Sequence, residues 1–233
     1  MEKLARVTKS PEERKQELLS AAESLFRVKG YERTAVSDIV KQVGVAQGTF
    51  YYYFKSKDEL ADTMIRRMLD EHMELISSIA EDPELSGREK IIKVMKEDFV
   101  QRGENLDNLD YMHHENNALL HQKMLVESVK AYTPFITGII EQGIREGNFH
   151  TSHPREVVEF FMVGLFFLYD PGIFAWTVEE VVTKLQAIGE ILEKLLGAEK
   201  DSLDIWKDLP DMPAIIQKAL KAEKAPRGES SPS

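Results

Sequence analysis

The sequence predicts an all-α protein, with a small three-helix head at the N-terminus followed by a larger helical body. Three observations carry that prediction. Apolar residues recur at helical spacing along most of the chain, and no run alternates as a half-buried strand does. Helix-start signals recur, with a hydroxyl set ahead of an acid at Ser10-Pro11-Glu12-Glu13, Ser56 with Glu59, and Thr177 with Glu180. The nine prolines and thirteen glycines are scattered through 233 residues, which leaves room for long helices. A composition of 42% hydrophobic and 30% charged residues supports a sizeable core and excludes a disordered or fibrous chain. The chain has no cysteine, which excludes disulfides, thiolate-bound metals and cysteine nucleophiles together.

Taken in order, the first helix starts at Pro11, carries the stripe Leu18, Ala22, Leu25 and Phe26, and closes at Gly30. Thr34 is placed to cap a short second helix whose inward face is Val36, Ile39, Val40 and Val43, stopped by Gly44. A third short helix spans about 46–53, and Ser56 opens a long fourth with Leu60, Met64, Met68, Leu75 and Ile79 on one side. Asp82-Pro83 ends it. A helix from Gly87 to about 102 follows, then a short piece at 106–113. A long helix is expected over 117–146, kinked at Pro134 because proline removes a backbone donor and crowds the preceding turn. Further helices run from Pro154 to Tyr169 and from Thr177 to about Leu196. A small helix over 213–224 and a disordered tail, APRGESSPS, complete the reading. The expected organisation is a head at 1–58, a body at 59–200 and an extension at 201–233.

The start MEKLARVTKSPEERKQELL mixes both charges and lacks the apolar core of a secretory signal. The most apolar stretch, FFMVGLFFLY at 160–169, rises only about 15 Å as a helix against a hydrocarbon core of about 30 Å. A cytoplasmic protein with no membrane partner is expected.

The net charge of −10 argues at first against nucleic acid, whose phosphates attract basic surfaces. The charge is divided unevenly, however. Residues 1–58 hold eleven basic and eight acidic side chains, a net +3, and the remainder carries −13. The head is therefore free of the objection.

Two short helices meeting at Gly44 form a helix-turn-helix pattern. Ile39, Val40 and Val43 are spaced to pack against Phe50 and Phe54, which lie four residues apart and share a face. Glycine at the corner permits a left-handed backbone without a Cβ clash. The opposite face presents Gln47, Gly48, Thr49, Tyr51 and Tyr52, with Tyr53 at its border. These are small or hydrogen-bonding groups suited to phosphates and base edges, and Gly48 allows close approach. Aromatics at helical spacing equally suit a core, which is the reading adopted for Phe50 and Phe54.

The stretch YERTAVSDIVKQVGVAQGTFYYYFKSKDEL at 31–60 resembles the DNA-binding signature of TetR-family transcriptional regulators, most specifically in GTFYYYFKSKDEL. The ending FLYDPGIFAW is similar to a TetR-type C-terminal subgroup. The resemblance implies a homodimeric regulator that binds a near-palindromic double-stranded DNA operator, most often as a repressor, and is released by a small-molecule effector. Carried over by position, Gln47 would read a base. Thr49, Tyr51, Tyr52 and Tyr53 would meet phosphates or groove edges, Lys57 would hold a phosphate at a helix start, and Thr34 and Ser37 would touch the backbone.

The helices at 154–169 and 177–196 carry apolar faces broad enough to pair with a second copy. Met95, Phe99, Met112, Asn116, Leu120, Met124, Tyr132, Phe135, Phe161 and Phe167 are candidate lining of an effector pocket, with Asn116 and Tyr132 as polar anchors. Their character suits a bulky, largely apolar or aromatic ligand. The histidines show no metal-ligand spacing, since His114 and His121 stand two turns apart and His150 and His153 fall in a loop. No metal or cofactor is expected. With no Gly-rich phosphate loop, nucleophile elbow or HExxH, no catalytic site is expected either. Two other readings stay open: a DNA-binding module that is constitutive or governed by a protein partner, and a helical enzyme or carrier with a merely structural head.

Overall fold

A computed structural model of the chain describes residues 9–170, 173, 174, 176–204, 216 and 217, leaving aside the side chains at 71 and 100–110. Among the described residues the protein is helical, with no strand. Three helices, α1 (Pro11–Lys29) and the short α2 (Val36–Val43) and α3 (Gln47–Tyr53), make the head. The body is built from α4 (Lys57–Glu81), α5 (Gly87–Leu109), α6 (Ala118–Arg145), α7 (Pro154–Leu168) and α8 (Val178–Leu196). Two 3₁₀ turns, Asp110–His113 and Glu115–Asn117, connect α5 to α6.

The helix starts follow from local chemistry. The Ser10 hydroxyl accepts from the Glu13 N–H while the Glu13 carboxylate accepts from the Ser10 N–H, a reciprocal cap. Thr177 and Glu180 repeat it at α8. At α4 the reciprocity is broken. The Ser56 hydroxyl accepts from Glu59 as expected, but the Glu59 carboxylate reaches back to the Lys55 N–H instead. The start of α2 corrects the sequence reading. Its N-cap is Ala35, not Thr34, and the Asp38 carboxylate caps it by accepting the Ala35 N–H at 2.9 Å. Gly44 takes φ 74°, the left-handed corner that α2 and α3 require.

One core runs through head and body. Leu18, Ala22, Phe26, Ile39, Phe50, Phe54, Leu60, Met64 and Ile65 are all at most 2% exposed, so α4 is rooted in the head that it leaves. The guanidinium of Arg67 on α4 donates to Gln16 and Glu23 of α1. Within the body, α6 packs on α4, α5 and α7. Lys90 on α5 is 4% exposed, and its ammonium donates to the Ala80 carbonyl and to Gln142, closing the α4–α5 corner onto α6. Gly87 and Gly143 bring α5 and α6 together backbone to backbone. A Cβ on Gly87 would stand 2.4 Å from the Gly143 nitrogen, so a larger residue there forces the helices apart.

Pro134 lies inside α6, which continues on both sides of it. α5 runs on to Leu109, past the expected end near 102, and absorbs part of the expected short piece. The glutamate Glu193 on α8 is 6% exposed and accepts the backbone N–H groups of Asp201 and Leu203, which fastens the start of the extension. Ile216 is also buried, against Leu185 and Ile188. Otherwise the helix expected at 213–224, and the APRGESSPS tail, lie outside the described residues. Among the described residues no helix is long and apolar enough to cross a membrane.

Candidate DNA interface and the body behind it

The second helix of the turn, α3, divides its faces sharply. Phe50 is fully buried and Phe54 is 2% exposed, with their rings 5.7 Å apart, whereas Tyr51 is 53% and Tyr52 78% exposed. Two rings this exposed on a seven-residue helix form an open aromatic face. Gln47 and Gly48 are exposed at the start of α3, and nothing lies within 4 Å of where a Gly48 Cβ would sit. Ser37 is exposed on α2. Thr49 and Tyr53 are half-buried, and the Tyr53 ring stands edge-on to Tyr52 at 4.9 Å, bracing it. The structure thus brings Gln47, Gly48, Tyr51 and Tyr52 onto one open face.

Thr34 departs from the expectation of a phosphate contact. It is 1% exposed, and its hydroxyl donates to the Gly30 carbonyl at 2.7 Å, so it holds the α1–α2 turn from inside. Lys57 is turned the same way. Its ammonium donates to the carbonyls of Tyr31 and Thr34 at 2.6 and 2.8 Å and lies 4.2 Å over the Tyr31 ring. Burial holds that ammonium below the usual lysine value, and neighbouring Asp58 opposes the shift.

Tyr31 is where head and body join. Its hydroxyl donates to Asp58 at 2.5 Å, which lowers the Asp58 carboxyl below the usual carboxylate value, while burial raises the phenol. Its backbone N–H donates to the side-chain carbonyl of Asn117, whose amide in turn donates to the carbonyls of Phe26 and Tyr111. Lys123 on α6 pairs with Asp58 and Asp62 on α4 beside this latch. Asn116, expected as a pocket anchor, stands at this junction instead. Its backbone carbonyl accepts from Glu32, and its Cβ faces Gly30. Asn117 was invisible to periodicity, since it lies in a 3₁₀ turn where neighbouring positions differ completely in burial.

The remaining pocket candidates separate. Met112 and Leu120 are buried within the continuous core. Met95, Phe99 and Phe161 are half-buried and gather with Leu165, Tyr169 and Leu185 between α5, α7 and α8. Met124 packs against the main core. Tyr132 is 8% exposed and its hydroxyl lies 2.8 Å from His72 Nδ1, whose other ring nitrogen is 4.0 Å from Asp98. This polar cluster, which the sequence reading did not find, shares its stretch of α5 with Met95 and Phe99. Phe135 and Phe167 depart from the expectation. At 36% and 50% exposed they face outward, and Phe167 joins Phe160 and Val163 on an apolar outer face of α7.

A tyrosine-faced short helix in a helix-turn-helix head, latched to a larger helical body, defines a DNA-binding regulator. Comparison with known proteins agrees. Residues 18–64 match the family described as bacterial regulatory proteins, tetR family, and residues 101–191 match the tetracyclin repressor-like C-terminal domain. The chain is 25% identical over 183 residues to a fatty acid metabolism regulator protein of Bacillus subtilis, covering 77% of this chain and 92% of that one. It is 27% identical over 168 residues to the transcriptional repressor KstR2 of Mycobacterium tuberculosis, covering 66% and 78%. Among solved structures, FadR of Bacillus subtilis in complex with stearoyl-CoA matches with a TM-score of 0.52 at 25% identity, over 78% of this chain and 97% of that one. A TetR/AcrR-family regulator of Thermobifida fusca matches in fold with a TM-score of 0.54, over 77% and 96%. The chain belongs to the TetR family of bacterial regulatory proteins, and it is a DNA-binding transcriptional regulator.

Proposed function

We propose that this protein is a cytoplasmic repressor that binds a near-palindromic operator as a homodimer and releases it when a bulky, largely apolar effector enters the body. It acts through binding equilibria, not catalysis. The observation that carries the reading is the exposed face of α3, with Tyr51 and Tyr52 open to solvent above a buried Phe50–Phe54 pair. Gln47 at the start of that face is the base reader, and Gly48, Thr49, Tyr53 and Ser37 supply close approach and backbone contacts. The functional division is a head at 1–58, an effector and dimer body at 59–200, and an extension at 201–233.

Dimerisation is assigned to α7 and α8. Phe160 is 75%, Val163 55% and Ile191 48% exposed, an apolar face that a second copy would cover. Two heads about 34 Å apart then meet successive major grooves on one side of B-form DNA. The effector is assigned to the half-buried Met95, Phe99 and Phe161 with the Tyr132–His72 pair as its polar end. Long-chain acyl thioesters are the first class to try, because the Bacillus subtilis FadR structure contains stearoyl-CoA. An effector that favours one head spacing over another by about 1–3 kcal/mol shifts operator affinity by about 5–150-fold.

The test is fluorescence anisotropy with an operator selected from random DNA, repeated with stearoyl-CoA and with shorter and free fatty acids. Salt-sensitive binding weakened by one of these is the expected result. A protein that selects no sequence is not this regulator. One whose operator affinity no apolar compound alters, but which a protein partner displaces, fits instead a DNA-binding module without a small-molecule effector.

A further inference from the structure

Away from the DNA face and the apolar cluster, three chain segments converge on one buried carboxylate. Asp170, just past the end of α7, has a side chain 2% exposed. His113 at the end of the first 3₁₀ turn sets its Nδ1 3.1 Å from one carboxylate oxygen, and His121 in the first turn of α6 sets its Nδ1 3.4 Å from the other. The two imidazole rings are 4.7 Å apart between centroids, and one donor atom from each of the three residues lies within 4.8 Å of the other two.

We propose that His113, His121 and Asp170 form a binding site for a divalent first-row transition ion of the zinc class. Bonds of about 2.0–2.1 Å at tetrahedral angles place neighbouring donor atoms about 3.3–3.4 Å apart. The two separations run to different carboxylate oxygens and the three donors close to within 4.8 Å of one another, so a bound ion would draw them together. The His121 separation by itself equals that edge. The His113 separation is within a few tenths of an ångström of it. Two imidazoles and one carboxylate select zinc, cobalt, nickel or copper over calcium and magnesium, which prefer oxygen throughout. A dication there would take the carboxylate together with one ring lone pair from each histidine.

The Asp170 carbonyl accepts the backbone N–H groups of Ile173 and Phe174, and the Trp176 indole donates to the Leu168 carbonyl. The imidazoles stay 24% and 14% exposed, so an ion can enter from their side. Three protein donors leave a tetrahedral ion one position for water or for a donor atom of a small ligand. The ion would cross-link the end of α7 to the 3₁₀ segment whose Tyr111 and Asn117 hold the head, so its effects would be felt on both sides of the molecule.

The experiment is a titration of the full chain, stripped with a chelator and dialysed, with Co²⁺ as an optical probe and Zn²⁺ as competitor. Visible ligand-field bands that saturate at one ion per chain and are erased by zinc are expected. His113→Gln and His121→Gln should each weaken the apparent affinity by at least about tenfold while melting like the parent chain without metal. Asp170→Asn should do the same. Because Asp170 is buried and its variant is at risk of unfolding, the two histidine variants decide. Absence of bands at about 100 μM cobalt, or both histidine variants titrating like the parent, overturns the site.

Discussion

Asn117 and Tyr31, 86 positions apart in the chain, are joined by a 2.6 Å hydrogen bond from the Tyr31 backbone N–H to the Asn117 side-chain carbonyl. The same side chain serves Phe26 and Tyr111 through its amide, so one residue satisfies three buried backbone groups. Truncation strands all three. Asn117→Ala should cost about 2–4 kcal/mol in urea unfolding. Asn117→Asp keeps the acceptor and loses the donors, and its deficit should be present at neutral pH. An alanine variant within about 0.5 kcal/mol of the parent would show that the latch is dispensable.

On α3 the two faces should respond oppositely. Phe50→Ala opens a cavity in the head and should lower stability by about 3–5 kcal/mol. Tyr52→Ala removes an exposed ring, so stability should change by at most about 0.5 kcal/mol while operator affinity falls about tenfold or more. Gln47→Ala should relax the preferred base at one operator position, at a cost of about 1–3 kcal/mol in discrimination. Denaturation curves set beside anisotropy titrations separate the two classes.

The acid limb of stability should report the Tyr31–Asp58 bond. The phenol hydrogen bond, followed by Lys123, holds the folded Asp58 carboxyl below its unfolded value. Its contribution is therefore complete above the ordinary carboxylate pKa of about 4 and disappears as pH falls through the lower folded value. Tyr31→Phe removes the main cause of the shift. The urea midpoint of that variant should fall less steeply than the parent's as pH drops below the ordinary carboxylate pKa. Parallel curves would mean that the bond has no linkage to folding.

If α7 and α8 form the dimer face, charge placed there should separate the subunits. Phe160→Glu combined with Val163→Glu puts two carboxylates on a face that is 75% and 55% exposed at these positions in the single chain. Light scattering should then give the 26.7 kDa monomer. Operator affinity should collapse, because a single head retains only one half-site, and helicity by circular dichroism should be preserved. A doubly charged variant that stays dimeric would move the interface elsewhere.

Much of the architecture was legible because it is encoded locally. Ser10 with Glu13, Gly44, Pro154 and Thr177 with Glu180 act within one turn of the boundaries they set, so their residue types suffice. Thr34 misled because a hydroxyl ahead of a helix reads as a cap, whereas here it bonds back to Gly30 and Asp38 caps from within the helix. Asn116 and Asn117 differ by one position in a 3₁₀ turn, where helical phase gives no guidance. Phe135 and Phe167 show that an aromatic on an amphipathic helix does not disclose which sector the neighbouring helices occupy. The cluster of His113, His121 and Asp170 could not be seen either. The partner of His121 lies not one turn away but beyond the end of the following helix.

The backbone contact between Gly87 and Gly143 makes the start of α5 a fulcrum. From that pinned end the helix extends 23 residues, about 34 Å, to Leu109, and passes directly into the turn that bears Tyr111. A tilt of only about 3° at the fulcrum sweeps the far end by about 2 Å. A displacement at Met95 or Phe99, part-way along this lever, would therefore be magnified at the base of the head.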